Sequence, residues 1–181
     1  TFSSRGLGDV YKRQQPYIST GSGGFEIGLW GSFPTTAGGG GNELDAYVSY
    51  DFGPLALTVT NYPFPDGDGT YSTGGFFEGD LEISASTEIG GLSLMGGYFP
   101  DLETLYIEAG FGLGAVDFAI GFGSDSADAF YVGAGESAIC NVSFSYSKEI
   151  KITDDYSLPL FSSFILNPKS EGAFIVIGAS F

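Results

Sequence analysis

The sequence contains no histidine, one cysteine, one methionine and one tryptophan, and it carries only six Lys plus Arg against 22 Asp plus Glu. Without an imidazole, and with no partner to activate its many serines and aspartates, the chain lacks the usual means of general acid–base or nucleophilic catalysis, so a non-enzymatic role is expected. A net charge of -16 is wrong for a polyanion, and nucleic acid is not an expected partner. The lone Cys140 excludes an internal disulfide and a thiolate metal cluster. No cofactor motif is present. Also missing is any run of the roughly 18 to 20 apolar residues that a membrane-spanning helix needs. If this chain crosses a membrane, it does so as a closed sheet.

What is abundant is glycine (30 residues), phenylalanine (17) and tyrosine (11), within a chain that is 43% hydrophobic. That composition folds, and 181 residues fit one domain better than two. The first fourteen residues, TFSSRGLGDVYKRQ, stand apart, holding Arg5, Lys12 and Arg13 with no alternation and no apolar central run of a signal peptide. The string SSRGLGDVYKRQ resembles a translated sequencing adapter rather than a protein family. Residues 1–14 are therefore expected to be non-native or a flexible basic arm, and 15–181 to form the folded domain.

From Phe25 onward the apolar period is two. Phe25, Ile27 and Leu29 alternate with Glu26, Gly28 and Trp30, and Leu44, Ala46, Val48, Tyr50 and Phe52 with Asp45, Tyr47, Ser49 and Asp51. Phe77, Leu81 and Ile83 oppose Glu78, Asp80 and Glu82; Leu105, Ile107 and Phe111 oppose Tyr106 and Glu108; Val116, Phe118 and Ile120 oppose Asp117. One face is oily and the other acidic. The segments run about nine to twelve residues, the length of a tilted membrane-crossing strand rather than of an average soluble one. Short links (Gly21–Gly24, Gly53-Pro54, Ile89–Gly91, Gly112–Gly114, Asp154-Asp155) alternate with longer ones (Phe33–Asn42, Pro63–Gly75, Pro100–Leu102, Gly123–Ser137, Asn167–Ser170). This is the alternation of periplasmic turns and outside loops in an up-and-down transmembrane β-barrel. Eleven strands are expected; because single-chain bacterial barrels have even numbers, a twelve-stranded parent is expected, with its first strand where the N-terminal segment now stands. The C-terminus then falls in the periplasm of a bacterial outer membrane.

The final strand, GAFIVIGASF, sets Ala173, Ile175, Ile177, Ala179 and the terminal Phe181 on one face. It resembles the C-terminal insertion signal of outer-membrane barrels, which implies outer-membrane lipid and the barrel-assembly machinery as partners. The stretches FEIGLWGSF, NELDAYVSYDFG and KEIKITDDYSLPLFSSFILNPKSEGAFIVIGASF resemble the TorF-like porin family, particularly members from Bacteroidetes, over most of Gln15 to Phe181. That resemblance implies a porin-like barrel.

The candidate site is the polar face. Glu26, Asp45, Asp51, Glu78, Asp80, Glu82, Glu88, Glu108 and Asp117 are expected to point inward with no Lys or Arg among them. Unpaired charges are too costly for a dry interior, so the expectation is a hydrated lumen that concentrates cations, with small solutes or cations as its cargo. Trp30, Tyr47 and Tyr106 are expected to narrow it. The competing reading is a solvated polar face with no transport role, in a structural or adhesive barrel; a third is a soluble carbohydrate-binding β-sandwich. Asp66 and Asp68 form a weak calcium candidate, having two carboxylates without the distal Glu of a calcium loop, and read first as a turn. Phe33, Tyr50, Phe52, Tyr62, Phe64, Phe76, Tyr98 and Phe99 are expected in interfacial girdles, Lys148 and Lys151 at the periplasmic rim, and Cys140 in packing beside Val142 and Phe144.

Overall fold

In a computed structural model, residues 13–35, 42–63, 79–126 and 130–179 are described. Every regular element among them is a strand: β1 (Arg13–Gln14), β2 (Tyr17–Ser22), β3 (Phe25–Pro34), β4 (Glu43–Asp51), β5 (Ala56–Tyr62), β6 (Asp80–Ile89), β7 (Leu92–Phe99), β8 (Thr104–Leu113), β9 (Val116–Ser124), β10 (Ser137–Lys151), β11 (Ser157–Asn167) and β12 (Gly172–Ala179). β1 and β2 both pair with β3 and are two parts of one strand interrupted at Gln15-Pro16, where Gly31 N donates to Pro16 O. The fold is thus one antiparallel, up-and-down, eleven-strand sheet. It is open along β2 and β12, and no second sheet stands among the described residues, as a sandwich would require.

Each strand pairs with its chain neighbours because the links are short and the glycines sit where left-handed backbone is needed. Gly23-Gly24 (φ 61° and 86°) and Gly90-Gly91 (φ 59° and 84°) fill two-residue hairpins that demand positive φ at both positions. The links fall where the sequence predicts them, but their lengths do not strictly alternate: the β10–β11 turn at 152–156, expected short, is longer than the links at 100–103 and 168–171, expected long. Arg13 and Gln14, at the end of the N-terminal segment, lie opposite Pro34 and Phe33. Glu78, Asp66, Asp68, Phe64, Phe76 and Phe181 lie outside the described residues.

Register divides the side chains into two faces. Ile27 opposite Val48, Val48 opposite Val59, Val59 opposite Ile83 and Ile83 opposite Tyr98 trace the apolar face across five strands. Its side chains are left exposed: Ile27 at 47%, Ile83 at 52% and Ile107 at 47%. Glycines on the polar face are covered instead. A Cβ on Gly28 would meet the Tyr47 ring at 2.5 Å, and one on Gly178 would clash with the Phe161 ring. Tyr47 and Phe161 therefore lie across neighbouring glycines rather than projecting from the sheet.

Candidate functional site

Strand register brings eight of the expected carboxylates to the polar face. Near the short turns lie Glu26 (opposite Ser49), Asp51 (opposite Ala56), Glu88 (opposite Ser93) and Asp117 (opposite Gly112 and Ser145). Toward the long links lie Asp45 (opposite Trp30), Asp80 (opposite Tyr62) and Glu82 (opposite Thr60). Glu108, opposite Met95 and Gly121, occupies the middle of β8. The ion pairs among the described residues lie elsewhere. Lys151 Nζ contacts Asp154 Oδ1 at 2.7 Å in the β10–β11 turn, and Lys169 pairs with Glu136 between the longer links. Lys151 shares the register of the polar face, but its head is held by that turn aspartate beyond the β9 hairpin.

Tyrosines, not cations, partner several of these acids. Tyr47 Oη donates to Glu26 Oε1 at 2.7 Å, and Tyr62 Oη to Glu82 Oε2 at 2.9 Å. Tyr106 Oη donates to Glu108 Oε2, which also accepts from Asn141 Nδ2 at 2.7 Å. Asp45 is 4% exposed and its Oδ1 has no partner among the described residues. The three expected narrowing residues, Trp30, Tyr47 and Tyr106, all sit on this face, though Tyr47 and Tyr106 lie over Gly28 and Gly121. Ala173, Ile175, Ile177 and Ala179 lie on the apolar face of edge strand β12, with Ile177 63% exposed.

Two sequence expectations are corrected. Tyr62 and Phe99 do not belong to an outer girdle. Their registers opposite Asp80 and Thr104 put them on the polar face, with ring centroids 5.5 Å apart. They were misassigned because their place at segment ends was weighed above the alternation with Val59 and Tyr98. Cys140 does not share a face with Val142 and Phe144. Ile139 opposes Phe122 and Asn141 opposes Gly121, so Cys140 is the extra residue of a β-bulge. The bulge turns its thiol to the polar face, where a Cβ on Gly123 would lie 3.2 Å from Cys140 Sγ.

The sequence reading missed what the β9–β10 link does. Phe130, Tyr131, Val132 and Gly133 all donate their backbone N–H to Asp125 Oδ2, at 3.0, 2.8, 2.7 and 3.0 Å. Thr104 Oγ1 lies 3.2 Å from Asp125 Oδ1, and Asp125 and Thr104 are buried. Burial pushes the Asp125 carboxyl up, but the four N–H donors outweigh it and hold the group below the ordinary aspartate range. The chain so gathered lies over the polar face. Phe130 packs on Phe99 of β7 (5.0 Å between centroids), and Tyr131 on Tyr106 of β8 (5.0 Å). Burial, then the charge of Glu82 on β6, raises the Tyr131 phenol. The legible signal was an acid at the end of a strand followed by aromatics and by Gly133 and Gly135, a pattern that permits successive amides to converge on one carboxylate.

No protein-family model matches the chain, and no curated protein matches it.

Proposed function

We propose that the chain is a porin-like outer-membrane barrel, of the kind its resemblance to the TorF-like family implies, with an acidic lumen that passes small solutes and prefers cations. The observation that carries this reading is the division of the sheet. One face exposes Ile18, Leu29, Val48, Val59, Leu81, Ile107, Ile120 and Phe164 to the surroundings, while the other gathers Glu26, Asp51, Glu88, Glu108 and Asp117. An apolar face of this extent, interrupted only at positions such as Asn61, Ser162 and Lys148, suits lipid and not water. Glu26, Glu82 and Glu108 take tyrosine or asparagine rather than a cation as partner, so the lumen they line is acidic, attracting cations and repelling anions. On this reading the lipid of the outer membrane surrounds the sheet and the short turns face the periplasm. The barrel-assembly machinery inserts the chain through its β12 face.

The test is single-channel recording in a planar bilayer under a KCl gradient. Stable steps with a cation-selective reversal potential are expected. A folded, inserted chain without conductance would remove the channel reading. The second reading, a non-conducting structural barrel, is favoured by the packing of Phe130 and Tyr131 over the polar face. A soluble carbohydrate-binding protein remains distinguishable because it would stay in solution without detergent.

A further inference from the structure

The β9–β10 link would not take its observed course without a specific restraint. A segment leaving a strand end ordinarily runs into solvent, because buried backbone amides need partners. Here Asp125 supplies them. Four successive amides converge on a single carboxylate oxygen and the other oxygen meets Thr104; Asp125, Thr104 and Val132 are buried. Charge-assisted bonds of this kind are about twice as strong as neutral ones. Gly133, at φ 127°, permits the turn that brings the fourth amide round.

The consequence lies beyond the hydrogen bonds. Folding residues 130–133 around Asp125 carries Phe130 to Phe99 and Tyr131 to Tyr106. With Tyr62 this makes a continuous aromatic cluster across β5, β7 and β8, on the same face as Glu82 and Glu108. Tyr47, Tyr106 and Phe161 lie across glycines of the sheet, whereas Phe130 and Tyr131 come from the link and pack on the rings of Phe99 and Tyr106.

We propose that Asp125 is a positioning residue, and that the segment it holds, Phe130 to Gly133, is the size-determining constriction of the lumen. This rests on the channel reading for its functional half and on the hydrogen bonds alone for its structural half. The two halves separate experimentally because the protein contains its own reporter. Cys140, the single cysteine, is 7% exposed and lies beneath the segment, where Tyr131 Cβ, Val132 Cγ1 and Cys140 Sγ all crowd Gly123.

The experiment compares the refolded chain with Asp125→Asn and Asp125→Ala in detergent and in bilayers. It reads the labelling rate of Cys140 by a small methanethiosulfonate and the conductance under KCl. Release of the segment is expected to speed labelling about tenfold or more and to raise conductance about twofold. Unchanged labelling in a folded variant overturns the proposal. Faster labelling with unchanged conductance overturns the constriction. Faster labelling with no conductance in any of the proteins leaves the positioning role standing and removes the channel reading. If neither variant folds, amide exchange of the unaltered chain decides: Phe130 to Gly133 are expected to be protected about a hundredfold relative to open chain, and open-chain exchange overturns the proposal.

Discussion

Tyr106 lies across Gly121 on the neighbouring strand so closely that a Cβ there would stand 2.6 Å from the tyrosine Cζ. The same ring donates to Glu108 and stacks on Tyr131, so the glycine supports the hydrogen bond and the aromatic contact together. Gly121→Leu must therefore lift the ring, and the overpacking is expected to cost roughly 1–3 kcal/mol in denaturant unfolding from detergent. Gly96→Ala is the control. It lies on the apolar face, where an added Cβ meets nothing nearer than the Tyr106 carbonyl oxygen at 3.8 Å, and a change within about 0.5 kcal/mol is expected.

On the barrel reading proposed above, the two faces are expected to differ in what they tolerate. Ile83 and Ser84 are adjacent at the middle of β6 and point to opposite faces. Ile83→Arg is expected to destabilise the inserted protein by about 2–4 kcal/mol, the cost of a cation against lipid near the bilayer midplane. Ser84→Arg, which faces the acids, is expected to insert at the unaltered level. Equal tolerance at both positions would count against a lipid-facing Ile83.

The faces were readable because a period of two decides them residue by residue: once Phe25 and Ile27 share a face, Val48, Val59 and Ile83 follow through pairing. The short turns were readable because Gly23-Gly24 and Gly90-Gly91 meet a backbone requirement that few residues satisfy. Where periodicity ends, the reading failed. Tyr62 and Phe99 close their strands, and that end position was read ahead of the alternation with Val59 and Tyr98 that turns them to the polar face. A one-residue bulge reversed Cys140 without disturbing the pattern on either side. The Asp125 site is invisible to alternation, because its donors are main-chain amides and its partners Thr104 and Tyr106 lie on another strand.

The polar-face acids fall into two groups by position. Asp80 and Glu82 lie toward the long links, and Glu88 and Asp117 near the short turns. Replacing Asp80 and Glu82 by Asn and Gln, or Glu88 and Asp117 likewise, is expected to lower the cation-to-anion permeability ratio roughly twofold in each case, and further when combined. Reversal potentials in a KCl gradient measure this. A ratio unmoved by all four substitutions would mean that these side chains do not border the conducting path.

Acid should release the segment held by Asp125, and the direction follows from linkage. A carboxyl whose folded value is depressed stabilises the folded arrangement fully above its unfolded value, 3.8, and loses that contribution as pH falls through the folded value. The groups facing Asp125 are Tyr131 from the link and Cys140 from β10, with Glu82 acting on Tyr131 from β6. The Tyr131 phenol, raised by burial, stays neutral throughout this range. Between pH 7 and 4 the unaltered chain is expected to conduct less than Asp125→Asn. Below 3.8 the difference should shrink to nothing, because the protonated aspartic acid no longer gathers four amides. The other carboxylates of the polar face are common to both proteins and cancel in the comparison. A difference that persists undiminished well below the folded value would show that the segment is held by its aromatic packing on Phe99 and Tyr106 and not by the charge of Asp125.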